Sequence, residues 1–293
     1  MIEAAVLGRV GVDLYPNELE TPLAEVQSFT RFVGGFAGNV ATGLARLGVR
    51  TAIVSRVGAD GHGDFVRRRL AEEGVDVRFL ATDPYWLTPP TFCEVWPPDR
   101  FPITFYRRPT APDWQLAPED FDGQEVATAR ILYATGTALA QSPSRETTLD
   151  VLRTHRGRTI FDLDWRPNLW DDAREYPALA AAAAAAAEIV IGNEEEVEVA
   201  QIDAPTLVLK RGEHGATVYE RGEERDIPGF PVEVVNGLGA GDAFAAAVGH
   251  GLLHGLTLVE AVRRGTVAGA LVASQLSCSE AMPRLEELEA ALV

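Results

Sequence analysis

The sequence predicts an α/β fold in which helices cover both faces of a mostly parallel β-sheet. Short β-branched stretches alternate with helical ones along most of the chain, and this alternation is typical of the crossover units that build parallel sheets. With 293 residues, 46% of them hydrophobic, the chain can bury one large core. No stretch resembles an interdomain linker or a repeat, so we expect a single domain over residues 1–293.

Seven stretches have the composition of strands. They are AAVLGRVGV (4–12), RTAIVSRVG (50–58), RILYATG (130–136), RTIFDLD (158–164), EIVIGN (188–193), TLVLKRG (206–212) and VEVV (232–235). Helical patterns lie between most of them, for example at 38–48 and 64–74. The alanine tract at 177–187 predicts a helix running into a strand, and it is too short to span a bilayer.

Two segments, 14–35 and 91–112, break the alternation. Both are extended and rich in proline and aromatic residues, and their apolar residues recur with period two, as in half-exposed strands. We predict that they form a small antiparallel β lid, an element that closes over a ligand. Because the apolar alternation of this lid is exposed, it also suggests a homodimer through paired lids.

Charge and cysteine content exclude several classes of function. The net charge of −17 would repel nucleic acid and anionic membranes, so a small-molecule ligand is expected. Cys93 and Cys278 are far apart in the sequence and form no CxxC motif, which argues against a disulfide framework or a zinc site. The N-terminus contains charged residues and reads as a first strand rather than as a signal peptide. We therefore expect a cytoplasmic protein.

Polar residues follow several predicted strands, and in open α/β sheets ligands bind at the carboxyl ends of the strands. These residues are Asp13, Asp164, Arg166, Asn193 and Lys210, together with a glycine loop after VEVV. Each alone could be ordinary loop polarity. Their convergence on one edge predicts a binding site there.

The loop Gly237–Gly241 and Asp242 is neither of the two common phosphate loops. It lacks the Gly-Lys-Ser/Thr of a Walker loop and the spacing of a dinucleotide fingerprint. Backbone N–H groups that open a helix still form an anion site, and glycines let a phosphate approach closely. Asp242 could accept the proton of an attacking hydroxyl. The alternative is that Asp242 only caps the helix.

Two motifs at this separation resemble those of the ribokinase, or PfkB, carbohydrate kinases. They are GGFAGNVATGLARLG (34–48) and NGLGAGDAF (236–244). The resemblance implies a ribokinase-like three-layer sandwich with a β lid and an ATP-dependent sugar kinase. It further implies that Asp242 is the catalytic base and that the N–H groups of Gly239, Ala240, Gly241 and Asp242 form an anion hole.

The same resemblance implies the remaining ligand contacts. The sugar hydroxyls would be held by Asp13, Gly34, Gly35 and Asn39. The nucleotide would be contacted by Asn193, Lys210, Gly212, Gly239, Gly241 and Thr266. Asn193 and Glu196, in the family's N-x-x-E pattern, would organise Mg²⁺ and the phosphates through water.

Further residues resemble the sugar-acid branch of the family. There, a Tyr-Arg on the lid and an arginine before proline meet the substrate carboxylate, which implies this role for Tyr106, Arg107 and Arg166. Arginine suits it because its fork binds a carboxylate bidentately. The 2-keto-3-deoxygluconate kinases usually carry Asn where this chain has Asp164, so the resemblance implies 5-dehydro-2-deoxygluconate as the acceptor, with 2-keto-3-deoxygluconate as the alternative. Another sugar, or a sugar-acid-binding regulator that has lost catalysis, remains the alternative.

Three departures from the family pattern matter. Asn236-Gly237-Leu238 replaces an Asp-Thr that serves a monovalent-cation site, which puts that site in doubt. Thr266 stands where an asparagine near adenine is usual. Only five residues separate 193–200 from 206–210, too few for the family's helix there. Separately, His250 and His254 have the i, i+4 spacing of metal ligands, but no third ligand is nearby in the sequence.

Overall fold

The computed structural model describes residues 2–293. Thirteen strands run in chain order as β1 Ala4–Leu7, β2 Gly11–Pro16, β3 Phe29–Gly34, β4 Thr51–Gly58, β5 Leu80–Asp83, β6 Pro90–Cys93, β7 Ile103–Phe105, β8 Ile131–Thr135, β9 Arg158–Asp162, β10 Ile189–Asn193, β11 Thr206–Lys210, β12 Ala216–Glu220 and β13 Glu223–Ile227. Nine of them form one sheet, in the order β13-β12-β11-β10-β9-β8-β1-β4-β5. All neighbours from β11 to β5 pair in parallel, and β12 and β13 add an antiparallel edge.

Helices cover the two faces of this sheet. They are α1 Phe36–Arg46, α2 Gly61–Glu72, α3 Gly123–Ala127, α4 Ser144–Thr154, α5 Tyr176–Ala184, α6 Glu194–Ala200, α7 Ala240–Leu253, α8 Leu258–Ala273 and α9 Leu285–Leu292. One core packs α1, α2, α7 and α8 against the sheet, and a second packs α3 to α6 against its other face. The predicted α/β three-layer sandwich is confirmed. None of the helices within residues 2–293 is long and apolar enough to cross a membrane.

The lid is a separate sheet of four strands in the order β3-β2-β6-β7. The β2–β3 and β6–β7 pairs are antiparallel, whereas β2 and β6 are parallel. The lid is therefore mixed rather than purely antiparallel, because its two hairpin-like halves come from distant parts of the chain and join side by side. It begins at Gly11, three residues before the predicted start at 14.

Two predicted strands were wrong. The stretch 4–12 is not one strand, because the chain leaves the main sheet after Leu7 and enters the lid at Gly11. Gly8, with φ = +153°, allows this change of direction. The stretch VEVV forms no strand at all. Pro228 and Pro231 cannot donate to a ladder, and the segment ends by donating from Val235 and Asn236 to the carbonyl oxygen of Ala273.

The connection from α6 to β11 is as short as predicted. It spans residues 201–205 and contains no helix; Gln201 ends α6 in the left-handed region at φ = +51°. Ile202, Ala204 and Leu207 remain only partly buried on this side of the sheet. The face of β11 above the missing helix is therefore thinly covered, as the sequence predicted.

Candidate active site

The glycine loop leads into helix α7 through a backbone conformation that glycine adopts more easily than other residues. Gly239 precedes the helix at φ = +83°, in the region that disfavours side chains. A Cβ at Gly239 would lie 2.8 Å from the Cβ of Cys278. The N–H groups of Gly241 and Asp242 belong to the first turn, whose donors have no intrahelical acceptor, whereas Ala240 N reaches Gly237 O over 3.4 Å. The loop can therefore hold an anion through its first-turn amides.

Asp242 does not cap this helix. No side chain caps α7, and the Asp242 carboxylate instead accepts a hydrogen bond from Asn39 Nδ2 over 2.7 Å. Burial raises the pKa of Asp242 to about 6, although the hydrogen bond from Asn39 opposes the shift. A carboxylate with this pKa is ionised at neutral pH and is a better proton acceptor than an exposed aspartate.

The predicted sugar-binding residues meet where the lid joins α1. Asp13, on β2, lies directly over Gly34 on β3, since a Cβ at Gly34 would overlap the Asp13 carboxyl group. Gly35, at φ = +88°, precedes α1. Asn39 Oδ1 is buried and has no hydrogen-bond partner within residues 2–293. The Asp13 carboxylate and the Asn39 amide oxygen can each accept a hydrogen bond from a hydroxyl group of a ligand.

Lys210, the one lysine in the sequence, neutralises a buried acidic pair. Its Nζ lies 3.1 Å from Asp162 Oδ2 and 3.8 Å from Glu196 Oε2, and 3.5 Å from the position that a Cβ at Gly241 would take. Burial raises the pKa of Asp162 to about 7, with Lys210 opposing the shift and Glu196 adding to it. Lys210 therefore lies between this acidic pair and the glycine loop.

Asn193 and Glu196 form a capping box at the start of α6. Asn193 Oδ1 accepts from Glu196 N, and Glu196 Oε2 accepts from Asn193 N, each over 2.8 Å. Within residues 2–293, no group of three or more Asp, Glu, His or Cys side chains is placed to hold a metal directly. The Glu196 and Asp162 carboxylates fit Mg²⁺ held mainly by water and phosphate oxygens, the usual way in which proteins bind it.

Asp164 is the most strongly ionised acid of the site. It sits beyond the end of β9, which the structure ends at Asp162, and its φ is +35°. The hydroxyls of Thr135 and Thr137 donate to its Oδ2 over 3.0 and 2.8 Å, and Arg166 Nη2 lies 3.1 Å from its Oδ1. These partners outweigh burial and lower the pKa of Asp164 to about 2.

The structure gives the predicted carboxylate-binding residues other partners. Arg107 is 3% exposed, pairs with Asp113 and stacks over Trp114. Arg166 pairs with Asp164 and donates to Trp165 O. A substrate contact by either arginine would require a change of partner and stays a prediction.

Tyr106 is not brought together with the other site residues. Phe105 pairs with Thr91 and shares the lid face of Asp13, so strand alternation turns the next residue away. The Tyr106 ring is 59% exposed and packs edge-to-face on Phe92, which lies on the opposite lid face. Its predicted role in substrate binding is not supported in this conformation.

An open cleft beside the acidic pair contains three of the six predicted nucleotide-binding residues. It is lined by Asn193, Glu194, Glu195, Lys210, Arg211, Gly212, Glu213 and His214. Gly212 adopts φ = +56° at the turn after β11. Thr266 is half-buried on α8, where its hydroxyl bonds to Arg263 O; the helix packs on β12 and β13 rather than lining this cleft.

The histidine pair on α7 gives no sign of a metal site. The rings of His250 and His254 lie 4.2 Å apart, and His254 Nδ1 is 2.8 Å from His250 O. Burial lowers the pKa of His250 to about 4, with the neighbouring His254 adding to the effect. The two rings stack on each other at the C-terminal end of α7.

Sequence reasoning did not single out Arg9, Thr135 or Thr137. Arg9 lies between the two sheets, in the Gly8-Arg9-Val10 connection, and its Nη2 is 3.8 Å from Asp164 Oδ2. The sequence signal was hidden because the stretch 4–12 reads as one continuous strand. The two threonines fall at the carboxyl end of β8, the position that should have marked them.

Comparison with known proteins identifies the family. The model of the pfkB family carbohydrate kinases matches residues 1–285. The chain belongs to the PfkB family of carbohydrate kinases. Among its PfkB relatives, 5-dehydro-2-deoxygluconokinase of Geobacillus kaustophilus is 34% identical over 98% of this chain and 92% of its own length.

Solved PfkB structures agree with the fold. An uncharacterized sugar kinase from Pyrococcus horikoshii in complex with ATP superposes with a TM-score of 0.88 at 27% identity, covering 97% of this chain and 96% of its own. A fructokinase double mutant from Vibrio cholerae, in a fructose, ADP and potassium ion bound form, superposes at 0.87 and 27% identity, covering 100% and 99%. The resemblance that the two motifs indicated, and the carbohydrate kinase class, are confirmed.

The position expected to serve a monovalent cation holds an uncharged amide here. Asn236 is fully buried; its Nδ2 donates to Leu276 O over 2.6 Å, and its Oδ1 accepts from Leu238 N over 3.1 Å. An amide N–H₂ group repels a cation, and here it already occupies a carbonyl oxygen that a cation could use. The uncharged Asn236 amide links its own loop to the segment that contains Leu276.

Proposed function

We propose that this protein transfers the γ-phosphate of ATP to the primary 6-hydroxyl of 5-dehydro-2-deoxy-D-gluconate. The observation that carries the proposal is the placement of the Asp242 carboxylate. It lies in the first turn of α7 beside the loop amides and is hydrogen-bonded to Asn39. The acceptor hydroxyl would give its proton to Asp242 while the amides of Gly239–Asp242 hold the phosphoryl group.

The two substrates would approach Asp242 from opposite sides. Asp13, Gly34, Gly35 and Asn39 lie on the lid side and would bind the sugar hydroxyls. Lys210, Asn193 and Gly212 lie on the cleft side and would bind the nucleotide. Bound Mg²⁺ would neutralise phosphate charge, with Glu196 and Asp162 holding its water ligands. Phosphoryl transfer asks mainly for positioning and charge stabilisation, which this arrangement supplies.

The choice of this acceptor is supported by relatives from Geobacillus kaustophilus and Clostridium tetani, which are 5-dehydro-2-deoxygluconokinases. Arginines near the lid suit an anionic sugar, even though Arg107 and Arg166 are paired internally. With two reduced cysteines, the proposal places the enzyme in the cytoplasm. 2-Keto-3-deoxygluconate is the alternative acceptor, and a non-catalytic sugar-acid-binding regulator is the alternative class.

A substrate panel tests the proposal. Purified protein with ATP and Mg²⁺ is given 5-dehydro-2-deoxygluconate, 2-keto-3-deoxygluconate, ribose or fructose, and ADP formation is followed. We expect the highest kcat/KM with the first acid, less with the second and little with either neutral sugar. Ribose as the best acceptor would overturn the sugar-acid assignment, and binding without ADP formation would favour the regulator.

The outer lid face supports a homodimer as part of the proposal. Phe29, Phe92 and Tyr106 form a chain of edge-to-face contacts with centroids 5.2 and 5.4 Å apart. Leu19 and Tyr106 remain 42% and 59% exposed. A second copy would cover these apolar side chains, and sedimentation of wild type against Tyr106→Glu would report the loss of such a dimer.

A further inference from the structure

Arg9 is held at the junction between the main sheet and the lid. Its carbonyl oxygen accepts from Ala37 N at the start of α1 over 3.0 Å, and Val10 N donates to Asp113 Oδ2 over 2.9 Å. The backbone on both sides of the Arg9 side chain is therefore fixed. The guanidinium lies 5.3 Å from the ring centroid of Phe105, on the inner lid face.

The guanidinium of Arg9 is nearly buried but makes no hydrogen bond within residues 2–293. Its side chain is 11% exposed, and its one ion-pair partner, Asp164, is 3.8 Å away. Nε is buried without an acceptor. Asp164 cannot serve it better, because Thr135, Thr137 and Arg166 already occupy that carboxylate. A buried charged donor left without acceptors is costly, and a bound ligand would remove that cost.

The surroundings of Arg9 define what that ligand must be. A guanidinium presents five N–H groups in a planar fork that matches a carboxylate or a phosphate. Arg9 lies over Phe105, on the lid face that also carries Asp13, so it is on the acceptor side of the base. The phosphates would bind at the glycine loop and Lys210 instead. The acceptor's own anionic group is the one that reaches Arg9.

We propose that Arg9 binds the carboxylate of the sugar-acid acceptor and determines the preference for acids over neutral sugars. Arg107 and Arg166 differ from it because their forks are engaged by Asp113 and Asp164. Among the three, Arg9 is the one whose whole fork is without a close partner in residues 2–293, since its ion pair with Asp164 is 3.8 Å long. This inference rests on the proposed function, since it presumes an acceptor with a carboxylate.

The test compares Arg9→Met and Arg9→Lys with Arg108→Met as a matched control. Arg108 is an arginine of the lid segment 91–112, but it is 57% exposed and pairs with Asp171. Initial rates of ADP formation are measured with 5-dehydro-2-deoxygluconate and with fructose. Affinity for the acid is measured separately by isothermal titration calorimetry, and melting temperatures show that each variant is folded.

For Arg9→Met we expect KM and Kd for the acid to rise by roughly 30-fold or more, the usual effect of truncating one member of a buried charge pair. The KM for ATP and the rate with fructose should change less than threefold. Arg9→Lys should recover part of the affinity, and Arg108→Met should resemble wild type.

The outcomes separate the inference from the function. Wild-type turnover of the acid with an unchanged KM in Arg9→Met would overturn the inference and leave the function standing. Equal losses with acid and fructose would also overturn it, because Arg9 would then act on structure alone. If the wild-type protein phosphorylates no sugar acid, both the inference about Arg9 and the proposed function are wrong. If Arg9→Met does not fold, Arg9→Lys provides the test: its rate with the acid is compared with its rate with fructose.

Discussion

Asn39 Nδ2 donates a hydrogen bond to the carboxylate of Asp242 over 2.7 Å, joining helices α1 and α7 across 203 residues of sequence. The bond ties a predicted sugar-binding residue to the proposed base. It also holds the carboxylate in a position from which it does not cap helix α7. Two of the predictions below depend on this contact.

Asp242→Asn should abolish most turnover while leaving the nucleotide site intact. An amide cannot accept the hydroxyl proton, so kcat should fall by roughly 10²–10⁴-fold, the usual contribution of a positioned acid or base. The Kd for ATP, measured calorimetrically, should stay within a few-fold of wild type. Unchanged turnover would mean that Asp242 has only a structural role.

The pH dependence of kcat/KM should show an acid limb near pH 6. The base must be ionised to act, and burial raises the pKa of Asp242 to about 6, so activity should fall as the pH drops through that value. Asn39→Ala should move the limb to higher pH, because the hydrogen bond that favours the ionised form is lost. Since Asp13 also has a pKa of about 6, Asp13→Asn serves as the control. A limb that stays in place in Asn39→Ala would contradict the assignment to Asp242.

Gly239→Ala should cost both stability and activity, and Gly255→Ala provides a matched control. Both glycines have positive φ, +83° and +81°, but a Cβ at Gly255 meets open space whereas one at Gly239 meets Cys278. Each should lose about 1–2 kcal/mol to the left-handed backbone. Only Gly239→Ala should lose more than this and lose kcat, as measured by urea denaturation and ADP formation. Equal effects would show that the loop tolerates a side chain.

Lys210→Met should destabilise the protein in a pH-dependent way. Removing the amine leaves Asp162 buried without its ion-pair partner and leaves Glu196 with Arg166, 3.7 Å away, as its remaining cation; we expect a loss of roughly 3–5 kcal/mol. The folded-state pKa of Asp162 is already raised to about 7, so its protonated form is favoured in the folded state. The destabilisation should therefore grow as pH rises from 5 to 8. Adding Asp162→Asn should recover part of it, and a loss independent of pH would contradict the electrostatic explanation.

Activity should not depend on potassium. Asn236 already donates to Leu276 O, so an amide rather than a cation engages this carbonyl oxygen. Exchanging potassium for sodium or a bulky ammonium at constant ionic strength should change kcat by less than twofold. Asn236→Asp offers the comparison, since it restores an acid at that position. A several-fold activation of wild type by potassium would show that the amide does not replace the cation.

The sequence predicted the fold and the glycine loop because these depend on local patterns. Alternating β-branched and helical stretches located most of the parallel sheet, and the two glycine motifs located Asp242 beside the sugar-binding residues. VEVV failed because β-branched composition was weighed without its flanking prolines. Strand alternation within the lid, which turns Phe105 inward and Tyr106 outward, needed the β6–β7 register.

Side-chain partners were the part that the sequence could not supply. Arg107, Arg166 and Arg9 are the same residue type near the same site, and only the fold shows that Asp113 and Asp164 engage the first two. Arg9 was hidden because the break between β1 and β2 leaves little trace in hydropathy. The pairing of Asn39 with Asp242 likewise depends on how α1 and α7 pack.

The short 201–205 connection has a consequence for local opening of the molecule. Amides of β11 are protected by ladder partners but by little overlying apolar surface, and regions with few buried contacts open at lower free energy than the core. Lys210 and Gly212, at the end of this strand, line the cleft. We therefore expect the amide protons of β11 to exchange more readily than those of the core, and a nucleotide bound in the cleft, as proposed, would supply the cover that the missing helix does not.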